Sequence, residues 1–166
     1  LQNPRYKPLH IIGPTGVKEK TLQLFEILYP GTLRKIAMEH CVFHVYESEV
    51  PFSTDHFEVL PLPVVHSEES LPHGLRINFG DKVISYSGDS SWCENLSQLA
   101  AGAHLFICEC CFYDQDVKGH LSYTELLKHQ HELQARLLLT HFDNSMLIAI
   151  ENVKFECATE GMILTI

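Results

Sequence analysis

Nowhere in this sequence do roughly eighteen apolar residues run together, which excludes a helix that crosses a bilayer. The opening residues, Leu1-Gln2-Asn3-Pro4-Arg5-Tyr6, lack the apolar stretch of a secretory signal. No methionine stands at position 1, so further sequence upstream is expected. Basic residues are scarce: 12 Lys and Arg against 21 Asp and Glu give a formal charge of −9. An acidic surface repels phosphate backbones, which argues against a nucleic-acid binder working through a basic face. A phosphodiester substrate stays open, because bound metal ions supply local positive charge. The six cysteines lack the spacing of a disulfide framework, which points to a reducing, cytoplasmic setting. Cys108 and Cys111 make one CxxC, but no second pair completes a zinc knuckle, so they read as small core residues on a buried strand. Repeats, low-complexity tracts and linkers are also missing, and one domain over residues 1–166 is expected.

What is present alternates between strand and helix signals. Leu9-His10-Ile11-Ile12 reads as a strand ended by Gly13-Pro14, and Val17 to Tyr29 as an amphipathic helix stopped by Pro30-Gly31. Val42 to Tyr46 and Phe57 to Val65 read as strands. Residues 75–79 and 82–86 flank Gly80-Asp81, a hairpin with a two-residue turn. A helix from Cys93 to Ala101, a strand Leu105 to Cys108 and a helix from Ser122 to about Leu133 follow, the last opened by a Ser122/Glu125 capping box. Leu137 to Thr140 is a buried strand, Met146 to Asn152 a short helix, and Phe155–Cys157 and Met162–Leu164 closing strands. The sum is a layered α/β domain.

Three segments share one design, an apolar run that ends in a metal-capable side chain. Pro63-Val64-Val65 ends in His66, Ile84-Ser85-Tyr86-Ser87-Gly88 in Asp89, and Leu137-Leu138-Leu139-Thr140 in His141. If these strands lie side by side, two imidazoles and a carboxylate converge at one edge, a set that suits zinc and related divalent ions. A carboxylate has two oxygens and so can bridge two metals, which in turn can share a hydroxide.

The words around these residues form an ordered set of motifs. Leu62-Pro63-Val64-Val65-His66, followed by His73-Gly74-Leu75-Arg76-Ile77, is one; Tyr86-Ser87-Gly88-Asp89-Ser90 is the next. Cys108-Glu109-Cys110-Cys111-Phe112, Gly119-His120-Leu121-Ser122, Leu139-Thr140-His141-Phe142 and Ala158-Thr159-Glu160-Gly161-Met162 follow in that order. Together they resemble the metallo-β-lactamase superfamily, and within it the ribonuclease Z-like hydrolases, over residues 60–166. The resemblance implies the C-terminal half to two-thirds of an αββα sandwich. It implies two divalent metal ions, zinc by preference, held in this chain by His66, Asp89 and His141, with Asp89 bridging. It also implies His120 as a general acid oriented by Glu109; an ordinary strand-end hydrogen bond is the plainer reading of Glu109. The reaction implied is attack of a metal-bound hydroxide on a phosphodiester, with arylsulfatase-like or lactonase-like ester hydrolysis, or a scaffold that lost its metals, as alternatives.

Two departures qualify that likeness. The family's His-x-His-x-Asp-His loop is absent from these 166 residues and would lie before Leu1, so the domain is expected to be N-terminally incomplete, with metal bound weakly or not at all by this stretch alone. Its missing strands would leave a bare sheet edge and apolar surface, which predicts a homodimer. His66 and Asp89 stand 23 residues apart, room for a hairpin but not for a tRNA-gripping arm. A small phosphodiester or ester is therefore expected as substrate, with RNA an open alternative and no membrane partner.

The remaining histidines read as bland. His129 and His131, two apart on a helix, cannot share a metal through it. His10, His40, His44, His56 and His104 have no motif around them, and His73 reads as a surface hairpin residue. Trp92 either walls the pocket or anchors its helix to the core.

Overall fold

The computed structural model describes residues 7–31 and 33–166. The N-terminal hexapeptide read above as lacking a signal core lies outside them. Contacts divide the chain into two compact units, Leu1–Glu47 and Ser48–Ile166.

In the first unit β1 (Leu9–Gly13), α1 (Val17–Leu28), α2 (Leu33–His40) and β2 (Cys41–Val45) follow one another. β1 and β2 pair in parallel, from Leu9 beside Cys41 to Gly13 beside Val45. Parallel partners need a crossover, and the two helices supply it. The sequence reading stopped at Pro30-Gly31 and missed α2. Gly31 takes a positive φ of 74°, so the turn it makes is followed by a new helix rather than by the next strand.

The second unit is built on a seven-stranded sheet. Its strands are β3 (Phe52–Ser53), β4 (Glu58–Pro63), β5 (His73–Phe79), β6 (Lys82–Tyr86), β7 (Leu105–Glu109), β8 (Leu137–Thr140) and β9 (Glu156–Cys157), in that spatial order. Pairs from β3 to β6 are antiparallel and those from β6 to β9 parallel. The predicted hairpin is β5–β6, with Phe79 opposite Lys82 across Gly80-Asp81. Three helices, α3 (Glu94–Ala100), α4 (Tyr123–His129) and α5 (Asn144–Ala149), pack on it, and short 3₁₀ turns extend α4 and α5. Met162–Leu164, expected as a strand, is irregular; no ladder partner exists for it among the described residues.

The core explains why β7 and β8 read as continuous apolar runs, since nearly every residue along them is buried. Leu96, Leu99, Leu126 and Met146 from the helices meet Phe106, Cys108 and Leu139 from the sheet, all fully buried. Each large side chain taken from water contributes about 1.5–3 kcal/mol. Gly74 admits α3: a Cβ there would lie 2.3 Å from Leu99 Cδ1. Ser122 caps α4 by accepting from the Glu125 amide at 3.3 Å, and Asp143 caps α5 by accepting from Ser145 and Met146. No helix of the described residues is long and apolar enough to cross a membrane.

Candidate metal centre

Strand direction decides where the chemistry gathers. β6, β7 and β8 are parallel, and β4 runs the same way because two antiparallel steps separate it from β6. All four therefore end at one edge of the sheet. His66, Asp89, Glu109 and His141 stand at or just beyond those ends, where open α/β sheets hold their ligands.

Hydrogen bonds between the loops complete the gathering. The Ser91 amide donates to Val65 O at 2.8 Å, and the Val65 amide to Ser90 Oγ at 3.1 Å, so the loops of His66 and Asp89 are tied together. The Gly119 amide donates to Ser91 Oγ at 2.8 Å, which draws in the loop that carries His120. Gly119 O lies 2.8 Å from His66 Nδ1, a contact that makes Nδ1 the donor and leaves Nε2 free to ligate. Past β8 the pairing continues, with the Cys110 amide donating to Thr140 O, and His141 turns with a positive φ of 64°. A non-glycine residue in that region costs on the order of 1–3 kcal/mol and is held there by its surroundings.

The result is a compact donor set. Asp89 Oδ2 is 3.8 Å from His141 Nε2. Ligand-capable atoms of His66, Asp89 and His120 lie within 4.8 Å of one another, and so do those of Cys111, His120 and His141. The imidazoles of His66 and His120 meet edge to face at 5.0 Å, and those of His120 and His141 stack at 5.6 Å. The Asp89 carboxylate accepts no hydrogen bond among the described residues, so its lone pairs face this cluster uncommitted. Three imidazoles, a free carboxylate and a thiol suit a divalent zinc-like ion, so the residues present fit such a group.

Behind His120 sits Glu109, 1% exposed, with Oε1 at 3.2 Å from His120 Nδ1. Its carboxylate also accepts from the Ser90 amide at 2.6 Å and the Cys111 amide at 3.3 Å. Burial pushes its pKa up to about 7, against the pull of the Ser90 and Leu121 amides and with some help from the Asp89 charge. Burial likewise raises the thiol of Cys111, with Glu109 adding to the effect.

The sequence reading had named His66, Asp89, Glu109, His120 and His141, and the fold brings all five into one cluster. It gave no site role to Cys111, Ser90, Ser91 or Gly119. CxxC with Cys108 read as core, which holds for Cys108; Cys111, 9% exposed, stands beyond the strand end and reaches the cluster. The small polar residues carry no signal until the loops they join are known.

Two clefts flank the cluster. One, of about 850 Å³, is lined by Val65, His66, Glu68, His73, Lys118 and Gly119. A smaller one of about 360 Å³ holds Trp92, Asp116, His120 and Lys128. Trp92 thus lines a cleft and also anchors a helix, because its ring stacks on His129 at 3.9 Å. His129 is further engaged by Glu125 and Glu132. His73 donates from Nδ1 to Leu71 O at 2.8 Å, its Nε2 lies 3.0 Å from Ser48 Oγ, and it edges the larger cleft.

Comparison with known proteins agrees with this arrangement. The family model described as Anti-Pycsar protein Apyc1 matches residues 30–159. An uncharacterised protein of Mycobacterium leprae, ML1173, is 39% identical over 89 residues, covering 50% of this chain and 30% of the relative. The probable metallo-hydrolase YhfI of Bacillus subtilis is 32% identical over 100 residues, covering 58% and 40%. The chain thus matches well under half the length of these curated relatives. The crystal structure of YhfI, a metallo-β-lactamase fold protein, superposes with a TM-score of 0.71 at 24% identity, covering 99% of this chain and 68% of that one. Human tRNase Z, short form, gives 0.68 at 20%, covering 98% and 69%. Zinc-bound PqqB of Methylobacterium extorquens gives 0.71 at 13%, covering 96% and 65%. The fold is that of the metallo-β-lactamases, as the motifs implied.

Proposed function

Since the chain belongs to the Anti-Pycsar protein Apyc1 family, we propose that it forms the C-terminal part of a metal-dependent phosphodiesterase acting on a small phosphodiester. The observation that carries this reading is the convergence of His66, Asp89 and His141, from three separate strand ends, with His120 from the loop before α4, and with Asp89 free of hydrogen bonds. His66 and His141 would each hold one divalent ion and Asp89 both. Such ions supply Lewis acidity and lower the pKa of bound water toward ~7.

The chain's own residues then do the rest. Gly119 O fixes the His66 tautomer so that Nε2 faces the site. Glu109 holds His120 Nδ1, which aims Nε2 outward as a proton donor. The carboxylate keeps a proton on Nδ1 and stabilises the imidazolium, whose separate proton on Nε2 can pass to the leaving oxygen. The clefts on either side leave room for the two substituents of a phosphodiester.

The test uses the full-length protein. Metal content and turnover are measured on bis(p-nitrophenyl) phosphate, on ester and lactone substrates, and on a phosphodiester with a poor leaving group. Asp89→Ala should lose metal and activity together. His120→Ala should keep its metal and lose turnover by roughly 10²–10⁴-fold, less for p-nitrophenolate, which needs little protonation. Loss of metal from His120→Ala, or equal loss on both leaving groups, would remove its role as acid. Preference for esters or lactones over phosphodiesters would overturn the substrate class.

A further inference from the structure

Three residues near the centre offer a second, chemically different set of ligands. Cys111, His120 and His141 present a sulfur and two ring nitrogens within 4.8 Å of one another. Cys111 is the only cysteine of the described residues in such a group; Cys108 and Cys110, its neighbours on the chain, are fully buried in the core. We propose that Cys111, His120 and His141 form a binding site for a thiophilic metal cation, whose occupation withdraws His120 from proton transfer. The withdrawal rests on the role proposed above for His120; the site itself does not.

The geometry needs little adjustment. A tetrahedral ion with Zn–S near 2.3 Å and Zn–N near 2.0–2.1 Å holds its ligand atoms roughly 3.3–3.6 Å apart. Atoms now within 4.8 Å would close by about 1 Å, which small side-chain rotations supply. The His120 and His141 rings stack at 5.6 Å, 19° apart, and each must rotate to bring an in-plane nitrogen to one ion. Cys111 is fixed beside His141 by the backbone: its carbonyl accepts the Asp143 amide at 2.9 Å, and the Cys110 amide reaches Thr140.

Ligand type separates this set from the first. His66 and Asp89 with His120 offer nitrogen and oxygen, while Cys111 adds a soft sulfur, which favours zinc in excess, cadmium or cuprous copper. Binding exchanges a proton for the metal: the S–H bond breaks, the proton passes to solvent and a sulfur–metal bond forms, with no change of oxidation state. Because His141 is 3.8 Å from Asp89, the same ion would also draw His141 away from its partner carboxylate.

Cadmium titrated into the full-length protein, where it competes with the resident ion for His141, tests this through the ultraviolet sulfur-to-cadmium charge-transfer band. The wild type should develop the band. Cys111→Ser should not, although Cys41, Cys93, Cys108, Cys110 and Cys157 remain. Its cadmium affinity should fall at least ~10–100-fold, the loss seen when a mere supporting partner of a ligand is removed. A band of equal height in Cys111→Ser overturns the site. X-ray absorption of cadmium-loaded wild type needs no variant: sulfur together with nitrogen is expected, and a shell of nitrogen and oxygen alone overturns the site. Cadmium should also slow hydrolysis by the wild type more than by Cys111→Ser, each compared with its own cadmium-free rate; equal inhibition overturns the link to His120. A Cys111-dependent band in a protein that hydrolyses none of the substrates would uphold the metal site and defeat the functional reading instead.

Discussion

Replacing Gly119 with alanine separates backbone strain from damage to the metal centre. Gly119 has a φ of +88°, and an added Cβ would lie 2.8 Å from His66 Nδ1 and 3.5 Å from His66 Cα. The conformation alone costs an L-residue on the order of 1–2 kcal/mol. The contact adds to this, because 2.8 Å is closer than real Cβ atoms approach a neighbour and the His66 ring must give way. The imidazole must swing away, and with it goes the 2.8 Å contact between Nδ1 and Gly119 O that selects the tautomer. Removing such an orienting partner typically costs 10–100-fold in metal affinity. Gly80→Ala is the control. Gly80 also has a positive φ, +61°, but nothing stands within 4 Å of the Cβ it would gain. Urea unfolding of the metal-free full-length proteins should show both variants destabilised by about 1–2 kcal/mol, Gly119→Ala somewhat more. Competition with a chelator should show weakened zinc binding in Gly119→Ala alone. Zinc affinity in Gly119→Ala indistinguishable from that in Gly80→Ala would refute the reasoning that this loop aims His66.

Further predictions concern the carboxyl and the caps. Glu109, with its pKa raised from 4.5 to about 7, binds a proton more tightly folded than unfolded. Its contribution is therefore full below pH 4.5 and lost as pH rises through 7; in metal-free protein the stability of wild type relative to Glu109→Gln should fall by on the order of 3 kcal/mol across that window. Urea midpoints for the pair between pH 4.5 and 8 check this, and parallel curves would contradict it. Ser122→Ala removes the cap of α4 and should cost ~1 kcal/mol in the same assay with metal content unaltered.

Much of this protein was legible along the chain because its signals are local. The Gly80-Asp81 turn, the Ser122 cap and the unbroken apolar runs of β7 and β8 each depend on neighbours a few residues away, and each appears where the pattern placed it. The metal-capable residues were also visible, since a polar ligand that ends an apolar strand breaks a pattern. Other features were decided only in three dimensions. α2 follows a Pro-Gly that reads as a stop, and Met162–Leu164 has strand composition but no ladder to join. Strand direction, fixed by helical crossovers and a hairpin, brought four distant strand ends to one edge. The clip of Ser90, Ser91 and Gly119 exists only once those ends are adjacent, because a serine's hydrogen bond carries no mark of its partner in the sequence. Cys111 shows the same limit most plainly. Composition assigns it to the core with Cys108, and the strand end beyond Glu109 turns it to the cluster instead, within ligand reach of two histidines.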